Sequence, residues 1–434
     1  MEKKYFIKTY GCQMNFCDSE RLMALLEKEG FCAVNSLQDA KFIIVNTCSV
    51  RKHAEDRAIN FLRSNINLKR KGKIFCLIGC TANLYGKELL ERFDFIDVIC
   101  GPNRYKELPE VLSNIKNGEK IVLTGEVENP FIDEIKNNVD VSSSISITKG
   151  CENFCSYCVV PYTRGKLISK PAKKIIEEVK KLVEKGVKEV ILLGQNVNEY
   201  GKDTGENFVE LIEKIHGIEG IVRIGFLTSH PKDVPEKLLY LFRDLPKLYK
   251  HFHLPLQSGS DRILKLMNRR YTVSHYLGIV EKVREIVPNI SITSDIIVGF
   301  PGEKEEDFME TYKIVEKVKF DDLFVFKYSP RPKTKASKFP DDVPQKEKER
   351  RHSLILNLQD KISLDKNKAY EGKIENVFIR KSSYKRKGYL VGRTETEKPV
   401  LLQGEENLKG KVLRVRIIEG FRHYLFGKLC ENNK

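Results

Sequence analysis

Cys151, Cys155 and Cys158 stand at C-x3-C-x2-C spacing within T-K-G-C-E-N-F-C-S-Y-C-V-V-P-Y-T-R-G, directly after Ile145-Ser146-Ile147, which alternates as a short strand does. Thiolates are soft ligands, so zinc or an iron-sulfur cluster suits them. A closed zinc site takes four ligands, and no fourth Cys or His lies nearby. Three ligands leave one coordination position open; in a cubane cluster that is one free iron.

A second set is spread over the first hundred residues. Cys12 follows an apolar run in Y-G-C-Q-M-N, Cys48 ends another in N-T-C-S-V-R, and Cys80 ends a third in I-G-C-T-A-N. From Lys3 to about Gly118, runs such as Tyr5-Phe6-Ile7, Phe42-Ile43-Ile44-Val45, Ile74 to Ile78 and Val98-Ile99 alternate with helical segments expected from Asp18, Arg51, Leu84 and Tyr105. Continuous apolar strands between helices predict a doubly wound parallel sheet covered on both faces. The carboxyl ends of such strands share one edge, where ligands bind, so Cys12, Cys48 and Cys80 should converge there as a second three-thiolate site. Cys100 ends the fourth strand and is a weaker candidate for a fourth ligand. Cys17, Cys32 and Cys76 read as apolar fillers, and Cys430 carries no signal.

Residues 121–143 are polar and turn-rich and read as a linker after an N-terminal domain of residues 1–120. From 144 to 367 the alternation resumes, with strands near Ile145, Val190, Val222, Phe252, Ile292 and Leu323. Six βα units predict a partial (βα)6 barrel whose strand ends meet at one mouth. Polar residues collect there: Gln195-Asn196, Ser229-His230, Gln257 and Asp295. Buried polar groups need partners, and a zwitterionic nucleoside supplies them. His230, before Pro231, is expected to cap a loop; His251 and His253 are expected to pack or hydrogen-bond, and Glu303 is as well explained by a helix start. A charged helix from Gln345 to about Lys368 has Leu354, Leu358 and Ile362 to hold it on the barrel.

The segment 368–434 changes to five short alternating strands with glycine turns, a small β-barrel. From Ala369 it holds fifteen Lys or Arg against eight Asp or Glu. Tyr384, Tyr389, Phe421 and Tyr424 alternate with Arg380, Lys381, Lys385, Arg386, Lys387 and Arg422, a combination that suits RNA. The whole chain agrees, with net charge +16; a basic surface concentrates phosphate backbones, although a Lys- and Glu-rich surface of the heat-adapted kind gives a similar count. No apolar run is long enough to cross a membrane and the start is not a signal peptide, so a cytoplasmic protein with reduced thiols, despite eleven cysteines, is expected.

The cysteine spacing with Tyr157 before its last member resembles the signature of radical S-adenosylmethionine (SAM) enzymes. With Y-G-C-Q-M-N, N-T-C-S-V-R, C-S-Y-C-V-V-P-Y-T-R-G, L-G-Q-N-V-N at Leu193 to Asn198 and T-S-H-P at Thr228 to Pro231, the whole chain resembles the radical SAM methylthiotransferase family, MiaB type. The resemblance implies a methylthiotransferase domain, a radical SAM core and a C-terminal TRAM domain. It implies two [4Fe-4S] clusters, one on Cys151, Cys155 and Cys158 that cleaves SAM and an auxiliary one on Cys12, Cys48 and Cys80. Tyr157, Gln195, Asn196, Ser229, Gln257 and Asp295 become expected SAM contacts.

The implied reaction puts a methylthio group on C2 of N6-isopentenyladenosine at position 37 of tRNA, with a reducing electron donor and a sulfur donor as further partners. Threonylcarbamoyladenosine in tRNA, an aspartate of a ribosomal protein, or a noncatalytic iron-sulfur RNA-binding role are the alternatives. One departure from the family pattern is R-P-K-T at Arg331 to Thr334, where glycine usually precedes the threonine; it bears on the local turn.

Overall fold

A computed structural model describes residues 3–50 and 52–430. Its first sheet contains β1 (Lys4–Tyr10), β2 (Cys32–Ala33), β3 (Phe42–Thr47), β4 (Ile74–Gly79), β5 (Val98–Cys100) and β6 (Ile121–Leu123), all parallel, in the order β2-β1-β3-β4-β5-β6. β3 and β4 are buried throughout. Their side chains alternate between two cores: Phe42, Ile44, Cys76 and Ile78 on one face, Ile43, Val45, Phe75 and Leu77 on the other. This is the expected doubly wound sheet.

Two edge strands were not expected: β2 has only two residues, and β6 falls at the start of the stretch read as a linker. β2 is exposed, and Cys32 on it is exposed and not a filler. β6 pairs with β5, so the stretch read as a linker begins inside the sheet; Phe131 and Ile132 within it are buried. Helices also start earlier than expected, at Gln13 and Cys80, directly at the cysteines. The expected start at Arg51 lies outside the described residues, and the described helix is Lys52–Ser64.

The core domain carries β7 (Ser142–Ser146), β8 (Thr148–Lys149), β9 (Ile168–Ser169), β10 (Glu189–Leu193), β11 (Arg223–Phe226), β12 (His251–His253), β13 (Ser291–Val298) and β14 (Asp322–Lys327). Six of these are the expected parallel strands, forming the groups β7-β10-β11 and β12-β13-β14. A parallel bridge from Ile224 to Leu248 joins the groups. One apolar core, from Ile145 to Ile362, runs beneath all six. β8 and β9 form a small antiparallel hairpin instead.

Helix Gln345–Lys368 turns Ile355, Gln359 and Ile362 inward, while Leu354, expected to face the barrel, is exposed. A closed barrel follows, with β15 (Ile374–Ser382), β16 (Tyr389–Arg393), β17 (Pro399–Gln403), β18 (Val412–Gly420) and β19 (Leu425–Leu429) around Val377, Leu390, Val400, Val415 and Leu425.

Candidate active site

The sheet order reverses between β1 and β3, and a switch point of this kind opens a crevice beyond the strand ends. Cys12 lies just past β1 and caps the helix Gln13–Lys28; Cys48 follows β3; Cys80 opens the helix Cys80–Tyr85. Asn15 Oδ1 accepts from the Cys12 backbone N–H and from its thiol, both at 3.2 Å, while its Nδ2 donates to Asn46 Oδ1 at 3.1 Å. Asn46 Nδ2 donates back to the Asn15 carbonyl at 3.0 Å. The two motif asparagines therefore lock the first two cysteine turns together. Gly79 sets the third: its φ is +100°, and a Cβ there would stand 2.4 Å from Asn46 Oδ1.

The three thiols interact. Hydrogen bonding from Cys48 is the largest influence on Cys12 and Cys80, and against opposing burial it lowers both to about 6, with the Arg164 charge helping. The Cys48 thiol is raised correspondingly by its two sulfur neighbours. Arg164 comes from the other cysteine loop. It is buried, its Nη2 donates to Asp18 Oδ2 at 2.7 Å, and Lys149 Nζ lies 3.6 Å from the other Asp18 oxygen.

The second loop is pinned at its base by the β8–β9 hairpin, with Cys151 N–H donating to the Gly165 carbonyl at 3.1 Å. Gly150 has φ +80°, and a Cβ would overlap the Lys166 carbonyl. At the tip, Ser156 donates from N to Met267 O (2.9 Å) and from Oγ to Leu266 O (2.8 Å), and Ala336 N donates to Ser156 O (2.7 Å). Arg269, buried, directs Nη1 to Cys155 Sγ at 3.5 Å while Nη2 holds the Pro255 carbonyl at 3.0 Å. Burial raises the Cys151 thiol to about 11 and that of Cys158 further.

Both cysteine sets open into one cavity of about 750 Å³. Its lining includes all twelve residues expected at the site: the six cysteines with Tyr157, Gln195, Asn196, Ser229, Gln257 and Asp295. Cys100 is absent from the lining and packs in the sheet core. Gln195 Oε1, Asn196 Oδ1, Ser229 Oγ and Gln257 Oε1 are buried without a protein partner. Such atoms are costly unless a ligand or water meets them, which fits a polar nucleoside. Thr228 and Gln257, both in the lining, hold positive φ values of 75° and 72°, so backbone strain is found at the same place.

Among the described residues no group of three His, Cys, Asp or Glu is gathered to hold a single metal ion.

Asp295 lies within β13, three residues before its end, with Oδ2 3.6 Å from His253 Nε2. His251 and His253 both meet Thr293 Oγ1 at 2.9 Å, as hydrogen-bonding side chains. His230 Nδ1 accepts from Lys232 N at 3.3 Å, the expected cap, and burial holds its pKa down to about 2, so the ring is neutral. Glu303 is structural: Oε2 meets Arg351 Nη1 at 2.8 Å and accepts from Gly299 N at 2.6 Å.

The cavity continues to the opposite strand ends, where Arg393, Lys398, Arg422 and His423 of the C-terminal segment line it. Arg380, expected on an RNA face, instead clasps Glu189 with 2.6 and 2.7 Å bonds and docks that barrel on the core. Arg422 pairs with Asp360. Tyr384, Lys385 and Lys387 stay exposed, Tyr384 at 86%, and Phe421 and Tyr424 stack at 4.7 Å.

Three family models match the chain: "Uncharacterized protein family UPF0004" over residues 4–101, the radical SAM superfamily over 145–315 and the TRAM domain over 368–430. A tRNA-2-methylthio-N(6)-dimethylallyladenosine synthase of Syntrophus aciditrophicus is 46% identical, covering 99% of this chain and 96% of its own. Its counterpart in Thermoanaerobacter sp. is 44% identical over 98% of this chain and 93% of its own. The chain belongs to this family.

Among solved structures, the radical SAM methyltransferase TsrM of Kitasatospora setae superposes with a TM-score of 0.56 at 13% identity, over 78% of this chain and 77% of its own. The cobalamin-dependent radical enzyme OxsB gives 0.53 at 12% identity, over 83% and 56%. Identities this low speak for the fold alone. Within this family member, sequence reasoning missed Asn15, Asn46, Arg164 and Arg269. The first three stand inside the cysteine motifs themselves, which was the available signal; Arg269 had none.

Proposed function

We propose that this chain is the tRNA-modifying enzyme its relatives are named for, transferring a methylthio group to C2 of N6-dimethylallyladenosine at position 37 of tRNA. The observation that carries the reading is the single cavity shared by two three-cysteine sets. Cys151, Cys155 and Cys158 would hold the cluster that works on SAM, and Cys12, Cys48 and Cys80 the auxiliary one. When bound, the first cluster would pass an electron from a reductant to SAM to give the carbon radical that an aromatic C2–H requires, since that C–H is neither acidic nor nucleophilic, and the auxiliary cluster would serve the sulfur transfer.

The chain's own residues bind and orient. Gln195, Asn196, Ser229 and Gln257 offer their unpartnered atoms to SAM, with Tyr157 and Asp295 beside them. Arg269 fixes the cysteine loop through Cys155. The exposed Tyr384 and the lysines around it take the RNA backbone and bases. A reducing electron donor and a sulfur donor complete the partners, in the cytoplasm where tRNA is modified.

The test is anaerobic: iron and sulfide are reconstituted, and SAM, reductant and tRNA bearing dimethylallyladenosine are added. The expected product, read by nucleoside mass spectrometry, is the 2-methylthio nucleoside. Formation of 5'-deoxyadenosine without that product would overturn the substrate and favour threonylcarbamoyladenosine or the ribosomal-protein aspartate. Absence of any SAM cleavage would favour a noncatalytic RNA-binding role.

A further inference from the structure

Arg164 belongs by sequence to the loop of Cys151, Cys155 and Cys158, yet its side chain serves the other cysteine set. The short helix Val160–Arg164 packs on the helix Cys80–Tyr85, so its last residue is delivered to the crevice at the β1 and β3 ends. The guanidinium is 3% exposed and lines the cavity with Cys12, Cys48 and Cys80. One arm is committed: Nη2 donates to Asp18 Oδ2 at 2.7 Å, and the Arg164 carbonyl accepts from Asn103 Nδ2 at 3.2 Å, holding the backbone. The other arm, Nη1, is buried without a hydrogen bond of regular geometry, while the guanidinium already acts on the Cys80 thiol through its charge and a side-chain hydrogen bond. A buried guanidinium N–H that faces three sulfurs and has no oxygen acceptor of its own is a donor available to sulfur.

We infer that Arg164 is a positioning residue of the N-terminal site, anchored by Asp18 and donating through Nη1 to sulfur at the Cys12, Cys48 and Cys80 centre. The inference rests on the reading of those cysteines as cluster ligands. Hydrogen bonds to sulfur and nearby positive charge stabilise the more negative, reduced form of an iron-sulfur centre, so Arg164 raises its midpoint potential. Arg164 also ties the two centres mechanically, since one short helix joins the loop of one to the sulfur atoms of the other.

The experiment isolates the N-terminal centre in the full chain by replacing Cys151, Cys155 and Cys158 with alanine, reconstituting, and titrating the remaining cluster under anaerobic conditions with an electron paramagnetic resonance readout. Arg164→Met in that background should load iron as its parent does and shift the midpoint to more negative potential, with Arg164→Lys between the two. If Arg164→Met fails to load, Arg164→Gln and Arg164→Lys decide in the same way. A loaded variant with an unchanged midpoint overturns the role of Arg164 alone. Failure of the Arg164-intact parent to bind any cluster overturns the reading of the three cysteines, and the inference with it.

Discussion

Arg164 and Asp18 form a buried ion pair at 2.7 Å between residues 146 positions apart, with exposures of 3% and 4%. It joins the loop of one cysteine set to the helix that Cys12 caps. Lys149 shares Asp18, so two cations depend on one carboxylate. Breaking a buried pair by removing one partner leaves an uncompensated charge and costs about 3–5 kcal/mol. Asp18→Asn should therefore lower the midpoint of urea unfolding strongly, and added salt should change the difference little because the pair is shielded from solvent.

The two cysteine sets should separate by function. Cys12→Ala is expected to lose half of the reconstituted iron and all methylthiolation, yet still convert SAM to 5'-deoxyadenosine. Cys155→Ala should lose both activities. Parallel loss of SAM cleavage in the Cys12 variant, measured by chromatography of the nucleoside, would mean that the sets do not have separate roles.

The unpartnered atoms at the cavity predict a binding loss. Ser229→Ala and Gln257→Ala each remove one potential hydrogen bond, worth about 1 kcal/mol, so SAM affinity should fall about fivefold per variant in equilibrium binding to the reconstituted protein. Gln257 also holds φ 72°, and Gln257→Gly should relieve that strain while still weakening SAM.

Lys333 holds φ 67° in the turn Arg331 to Thr334, which Thr334 closes by donating Oγ1 to the Arg331 carbonyl at 2.7 Å. A left-handed backbone costs a side-chain-bearing residue about 1–2 kcal/mol, partly offset by the unfolded-state entropy that glycine adds. Lys333→Gly, which restores the family's usual residue, should stabilise the chain by about 0.5–1 kcal/mol in thermal unfolding.

Glu397 sits between the core and the C-terminal barrel. Burial alone would raise its pKa, but Arg380, Arg223 and Arg393 outweigh that and hold it at about 2. A carboxylate depressed in the folded state contributes stability fully above its unfolded pKa of about 4.3 and loses it as pH falls toward 2. Unfolding followed between about pH 5 and 2 should show a loss on the order of 3 kcal/mol that Glu397→Gln lacks.

Much of this site was legible in the chain because its signals are local. Cysteine spacing reports three thiols gathered within one loop, and an apolar run followed by a small residue reports where a strand ends. The parallel order of the first sheet, the six core strands and the five-stranded barrel all follow from such runs. The two edge strands were missed: β2 has only two residues, and β6 falls at the start of 121–143, which looked like a linker. Leu354 looked like a contact of the charged helix, but a long helix can turn more than one stripe toward its neighbours, and Ile355 took that place.

Charge was the least legible property. Arg380 reads as one more cation of an RNA surface, and only docking against Glu189 and Glu397 reveals it as a clasp. Residue types and spacing, by themselves, marked out two sets of three cysteines, the layers that carry them and the basic barrel behind them. The tertiary structure decided that both cysteine sets open into one cavity and that Arg164 crosses between them. It also decided which cations are spent on buried pairs, because these depend on distances between residues far apart in the chain, and periodicity carries no record of them.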